Sequence, residues 1–353
     1  MKIALVAGHQ GSHSWQSMVK ELSLKYENFY HLKGLPDKKY RENGFINRIR
    51  NRIYIFLYYP LKTIFFSIKL LKFDKIIVVP SPFFIPLILS LIFRKKIIII
   101  QTDLYPEGFK SIPVLKKMTS IHNLYKCLSD NFYKENLNLF ISKNLMNSRN
   151  YPKSQVVYTP SIDRCFLKSS KDSKLIGYLG TLGHNHFGIE FLEMLNNSSF
   201  EEEVEFSFNI SGSLVESFKK QSQQLKSIKN LKNLFIDGPL DEISFQEKMN
   251  TLGFGLVLMG KSASNTLFPS KFSGHIAAGH PIILISDQKN EIHEFIENEK
   301  IGLSIHHDEG NLNQLNDFLN ETNIDEIRLN ALKVFKKNFD HKVVAEKLFS
   351  IIK

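Results

Sequence analysis

The chain has 353 residues, 43% of them hydrophobic, and a formal net charge of +11. That length exceeds one ordinary domain and suits two, and the composition is that of a globular protein. The two cysteines, Cys127 and Cys165, exclude a disulfide framework and form no metal or redox pattern, which fits a reducing, cytoplasmic setting. No segment supplies the ~20 uninterrupted apolar residues of a membrane span.

Taken in chain order, Ile3–Ala7 predicts a first buried strand, with an apolar run too short for a signal-peptide core. The loop Gly8-His9-Gln10-Gly11-Ser12-His13 leads into a helix over Ser14–Tyr26. Arg48–Lys75 is basic, aromatic and apolar together and reads as one or two amphipathic helices around Pro60. Two readings stand there: an ordinary core-packing helix with a solvated basic face, or a segment that docks on an anionic membrane. Lys75–Val79 and Lys96–Ile100 are β-branched runs of the kind buried in parallel sheets. Phe83–Ile100 is cut by Arg94, Lys95 and Lys96 into helix, turn and strand. Leu137–Ser142 and Gln155–Tyr158 continue the series, and Thr159–Ser173 is a polar linker.

Past the linker the alternation resumes. Strands are expected at Lys174–Leu179, Phe206–Ile210, Leu234–Ile236, Phe254–Leu258 and Ile282–Ile285, with a helix near Ile189–Leu195 and a last helix over about Asp325–Ile352. This alternation implies doubly wound parallel α/β sheets. Charge divides with the linker: residues 1–165 hold 26 Lys/Arg against 10 Asp/Glu, whereas residues 166–353 hold 20 against 25. Lysine-rich coding bias would load both halves, so the basic first half points to anionic lipid headgroups, lipid diphosphates or nucleic acid. Nucleic acid is disfavoured, because no helix-turn-helix, RNA-binding aromatic motif or zinc pattern occurs.

Four segments carry candidate chemistry. In Leu267–Ile285, LFPSKFSGHIAAGHPIILI, Pro269 suits a helix's first turn and Gly279 its end. Ser270 and Lys271 then sit where unpaired amides attract phosphate. Gly180-Thr181-Leu182-Gly183, followed by His186, is a strand running into a glycine turn that lets backbone approach a diphosphate. Gln101–Glu107, QTDLYPE, puts Asp103 and Glu107 at the C-terminal end of a parallel strand, where ligands bind. Either carboxylate could bind acceptor hydroxyls or act as a base, and Glu107 could instead cap the next helix. His13 has a pKa suited to taking a proton from a hydroxyl.

The PSK-x-x-G-x-x-AAG pattern at 269–279 resembles the donor-binding element of family 4-type bacterial glycosyltransferases of surface-polysaccharide synthesis. The strings at Gly177–His186 and Gln101–Glu107 resemble that family's GNxGxxH and QDxxPE segments. Gly8, Gly11 and His13 match the GGTGGH loop of inverting, lipid-acceptor glycosyltransferases. The resemblance implies a GT-B fold, two Rossmann-like domains facing a cleft. Residues 1–165 would bind acceptor, 166–335 would bind donor, and 336–353 would form a helix that packs back on the first domain. It implies donor contacts at Gly180, Thr181, Leu182, Gly183, His186, Asn265, Pro269, Ser270 and Lys271, with His13, Asp103 and Glu107 as catalytic candidates. Thr266 and Gly274 stand where many members carry glutamates, which leaves open how sugar and ribose hydroxyls are read. The implied activity is hexosyl transfer from a nucleoside-diphosphate sugar to a polyprenyl-diphosphate-linked glycan of capsule, lipopolysaccharide or exopolysaccharide. It would take place on the inner face of the plasma membrane, without metal or other cofactor and without nucleic acid. The alternatives are a nucleotide-sugar 2-epimerase of the same fold and a non-catalytic donor-binding subunit.

Overall fold

The computed structural model describes residues 1–9, 13–35, 49–51, 53–80, 82–94, 96–107, 119–162, 173–183, 186–200, 203–229, 233–260, 267–321 and 323–353. The chain divides into two compact units. One comprises Met1–Pro160 with His341–Lys353, the other Ser161–Asp340.

The first unit runs β1 (Lys2–His9), α1 (His13–Lys25), β2 (Asn28–Leu35), a π-helical turn (Tyr54–Tyr58) continuous with α2 (Tyr59–Leu70), β3 (Lys75–Val78), α3 (Ile85–Ile92), β4 (Ile97–Gln101), α4 (Thr119–Tyr133), β5 (Leu137–Phe140), α5 (Lys143–Arg149) and β6 (Ser154–Val156). Its six strands are all parallel, in the order β2-β1-β3-β4-β5-β6. The β-branched runs make this possible: all five residues of β4 are buried, as a strand covered by helices on both faces requires. Pro60 does not break its helix. It sits in the first turn of α2, directly after the π turn, whose extra residue lets the chain pass a position with no N–H to donate.

The second unit runs β7 (Leu175–Thr181), α6 (Gly188–Asn196), β8 (Glu205–Ser211), α7 (Val215–Lys229), β9 (Leu234–Asp237), α8 (Glu242–Thr251), β10 (Phe254–Met259), α9 (Ser270–Ala277), β11 (Ile282–Ser286), α10 (Glu291–Glu299), β12 (Gly302–His306), a 3₁₀ turn (His307–Glu309), α11 (Gln314–Glu321) and α12 (Ile324–Asn338). Its sheet is also all parallel, ordered β12-β11-β10-β7-β8-β9. The chain winds outward from β7 through β9, then restarts at β10 on the other side. The β7/β10 boundary is therefore the topological switch point, where doubly wound sheets bind ligands. Tyr178, Phe191, Phe208 and Phe218 are fully buried in the core beneath it.

Two strands were not foreseen and one expected helix changes. The strands β2 and β12 were not legible in the sequence; both are sheet edges, and their mixed sequences NFYHLKGL and GLSIH lack the continuous apolar signal of a central strand. The expected helix over Asp325–Ile352 is two helices, α12 and α13 (His341–Ile352). Phe339 causes the break. Its ring is fully buried among Phe268, Phe272 and Phe295, and its carbonyl leaves the helix to accept the Ser161 amide at 2.7 Å. Beyond the break, α13 packs on α1 of the first unit, with Tyr26 and Phe349 ring centroids 5.1 Å apart.

Candidate functional site

In the second unit the two phosphate-friendly segments meet at the switch point. Helix α9 follows β10, and the glycine loop follows β7. Pro269 is the N-cap of α9, one position before the expected first turn, and contributes no capping side chain. Ser270 is exposed at the first helical position and Lys271 follows it. The helix ends in a Schellman motif: the Gly279 amide bonds the Ile276 carbonyl, the His280 amide bonds the His275 carbonyl, and Gly279 has φ +73°. This stop delivers the chain directly into the fully buried β11.

Lys271 does not reach into open solvent. Its side chain folds across the loop, and its ammonium lies 4.8 Å from the centre of the Tyr178 ring. Gly180 permits this. It has φ +122°, and a Cβ there would lie 3.3 Å from the Lys271 Cε. Burial pushes the Lys271 amine down to about 8. Tyr178 is fully buried, stacks on Phe208 at 5.5 Å and donates its hydroxyl to the Thr181 carbonyl at 2.8 Å. Tyr178 is a site residue that local sequence pattern did not mark; a large aromatic two positions before the glycine of the turn was the available signal.

His186 closes the loop. Its Nδ1 lies 3.0 Å from the Gly183 amide nitrogen and 3.2 Å from the Gly183 carbonyl oxygen, so the ring turns back on the loop's own backbone. Burial, then the Lys271 charge, holds His186 down to about 4, and it is neutral near pH 7. The Gly183 amide therefore faces the imidazole, and a phosphate would compete with that ring for it. Leu182 is likewise fully buried, with its amide bonded to the Ser211 carbonyl, so it supports the loop from beneath. Gly180 and Thr181 are exposed. At Gly274 an added Cβ would meet nothing within 4 Å: the position that carries glutamate in many family 4-type members borders open space here. Asn265 lies outside the described residues.

In the first unit the switch point falls between β1 and β3. His13 opens α1, just beyond β1; its side chain is outside the described set. Asp103 follows β4, so the ends that carry these two residues are separated by one strand, roughly 10 Å at ordinary strand spacing. Burial raises the Asp103 carboxyl above its ordinary value, opposed by a hydrogen bond from Thr102. Glu107 is differently placed. It pairs with Arg149, a buried guanidinium at the end of α5 that also donates to the Tyr105 carbonyl and to Asp130 at 3.3 Å. Tyr151 donates to the same Asp130 oxygen at 2.9 Å, and Tyr105 packs on Phe83 at 5.3 Å. This network clamps the loop that carries Asp103. Among the described residues no cluster of three or more His, Cys, Asp or Glu could hold a metal ion.

No family model and no curated protein matches the chain. Solved structures do. Alr3699/HepE of Anabaena in complex with UDP and glucose aligns at TM-score 0.68 with 13% identity over 99% of this chain and 98% of that one. A glycosyltransferase from Rickettsia africae aligns at 0.65 with 14% identity over 99% and 97%. The lipopolysaccharide outer core galactosyltransferase WaaB aligns at 0.61 with 15% identity over 100% and 99%. With two parallel six-stranded α/β sheets and end-to-end alignment to these glycosyltransferases, the chain has the GT-B fold.

Proposed function

We propose that the chain is a glycosyltransferase that moves a sugar from a nucleoside-diphosphate sugar to a polyprenyl-diphosphate-linked glycan of capsule, lipopolysaccharide or exopolysaccharide. The observation that carries this reading is the half-buried Lys271 ammonium held against the Gly180 loop at the β7/β10 switch point. A cation kept partly out of water beside exposed backbone and a helix N-terminus suits a diphosphate. The structural likeness to Alr3699/HepE with UDP and glucose supports a uridine donor. In the reaction an acceptor oxygen bonds to the anomeric carbon as the sugar–phosphate bond breaks. Lys271 and the α9 amides take up the charge that develops on the departing diphosphate, a task that needs no metal in this reading. Asp103 or His13 receives the acceptor proton. Glu107 serves through Arg149 by fixing the Asp103 loop. A lipid-linked acceptor puts this chemistry at the inner face of the plasma membrane.

The test is transfer of radiolabelled sugar from a panel of UDP-, GDP- and TDP-sugars to membrane extracts, with Lys271→Ala alongside. Lipid-extractable label that depends on Lys271 is expected. Epimerised donor without acceptor, or donor binding without turnover, would replace this reading with a 2-epimerase or a binding subunit.

A further inference from the structure

Helix α2 is apolar on both sides. Tyr59, Thr63 and Leu70 face inward and are fully buried, with the Tyr59 hydroxyl bonded to the Leu32 carbonyl at 2.9 Å. The opposite face carries Leu57, Leu61, Ile64, Phe65 and Ile68, at the i, i+4, i+7, i+8 and i+11 spacing of one helical stripe. All are exposed, Phe65 by 78% and Ile68 by 73%. A solvated helix carries charge on such a stripe. The neighbouring helix α3 adds exposed Leu91 and Ile92, and α4 beyond it adds Leu124. Exposed apolar side chains gathered on neighbouring helices mark an interaction site.

We infer that this stripe inserts shallowly into an anionic lipid bilayer, with α2 lying along the interface. Charge selects the occupant. Between Asn43 and Thr102 the chain has ten Lys/Arg and a single acid, Asp74. Lys69 on α2, Arg50 ahead of the π turn and Lys72 in the turn after α2 are all exposed, and Lys69 lies 4.9 Å from the Phe66 ring centre. An exposed apolar stripe in a segment this basic matches anionic headgroups above hydrocarbon. No helix among the described residues is long and apolar enough to cross a membrane, so α2 rests on the bilayer. The inference draws its biological sense from the lipid-linked acceptor proposed above, but its geometry uses nothing from the donor site.

The experiment is flotation of the full chain with vesicles of phosphatidylcholine alone and with about one-third phosphatidylglycerol. Wild type is expected to float with the anionic vesicles, to bind neutral ones roughly tenfold more weakly, and to stay partly bound at ~1 M salt, where charges are screened beyond about 3 Å. Phe65→Ser/Ile68→Ser is expected to weaken binding about tenfold or more, and Leu91→Ser/Ile92→Ser to weaken it less, with thermal midpoints unchanged because these side chains are exposed. Equal binding by the first double variant overturns the inference. So does a wild type that ignores both vesicles, including one that sediments as a dimer and is made monomeric by the double variant. A thermal-shift arm with UDP separates the two readings: vesicle binding without a UDP shift sinks the donor assignment and leaves this one standing.

Discussion

Lys271 and Tyr178 form the contact on which the candidate donor site turns: the ammonium sits 4.8 Å from the ring centre, reached across a glycine that leaves room for it. A cation over an aromatic face keeps its charge while giving up water. The ring is immobilised by Phe208 and by its own hydroxyl bond, so the ammonium is aimed before any ligand arrives. Such preorganisation spares binding the cost of ordering a lysine.

Donor binding is expected to follow the Lys271 charge. The amine titrates at about 8, so affinity for UDP should fall as pH rises from 7 to 9.5, and Lys271→Met should bind weakly with no such slope. Isothermal titration across that range checks it. Stability moves the other way. Between about 8 and the ordinary 10.5 the unfolded chain holds more protons than the folded one, so rising pH stabilises the fold in that window.

At Gly274, substitution by Ala is expected to stabilise the chain by about 0.5–1 kcal/mol, since a helix-interior glycine gains a side chain that meets nothing. UDP affinity should persist in Gly274→Ala and drop in Gly274→Leu if the open space is used by the donor. Denaturant melts paired with titrations read both.

For the first unit, Asp103→Asn is expected to abolish transfer while leaving the UDP thermal shift intact. The raised Asp103 carboxyl predicts that kcat/KM falls on the acid side at a higher pH than an ordinary aspartate would set. Glu107→Gln should act differently. It keeps the loop hydrogen-bonded to Arg149 and lowers the rate without displacing that acid limb, as expected of a positioning residue. A pH–rate profile of wild type and Glu107→Gln, set beside the lost transfer of Asp103→Asn, separates the roles.

Replacing Phe339 by Ala is expected to cost about 3–5 kcal/mol, since the ring is fully buried against three other phenylalanines. Urea unfolding monitored by circular dichroism measures it.

The central strands and the α9 helix were legible in the sequence for local reasons. Ile97–Ile100 and Ile282–Ile285 are β-branched runs that only a doubly covered sheet buries, and Pro269 and Gly279 punctuate a helix whatever surrounds it. Of the four edge strands β6 and β9 were legible and β2 and β12 were not, because NFYHLKGL and GLSIH carry no continuous apolar run and pairing on one side does not demand one. Neither was the break at Phe339, which is set by three rings distant in the sequence. The candidate site divides the same way. Local pattern alone marked Gly180, Lys271 and Asp103 as chemistry-bearing positions. Only the folded sheet decided that Lys271 lies over Tyr178, that His186 is occupied with the Gly183 amide, and that Glu107 is claimed by Arg149. Those outcomes depend on which strand ends the topology brings side by side, and strand order is a property of long-range packing that local periodicity does not encode.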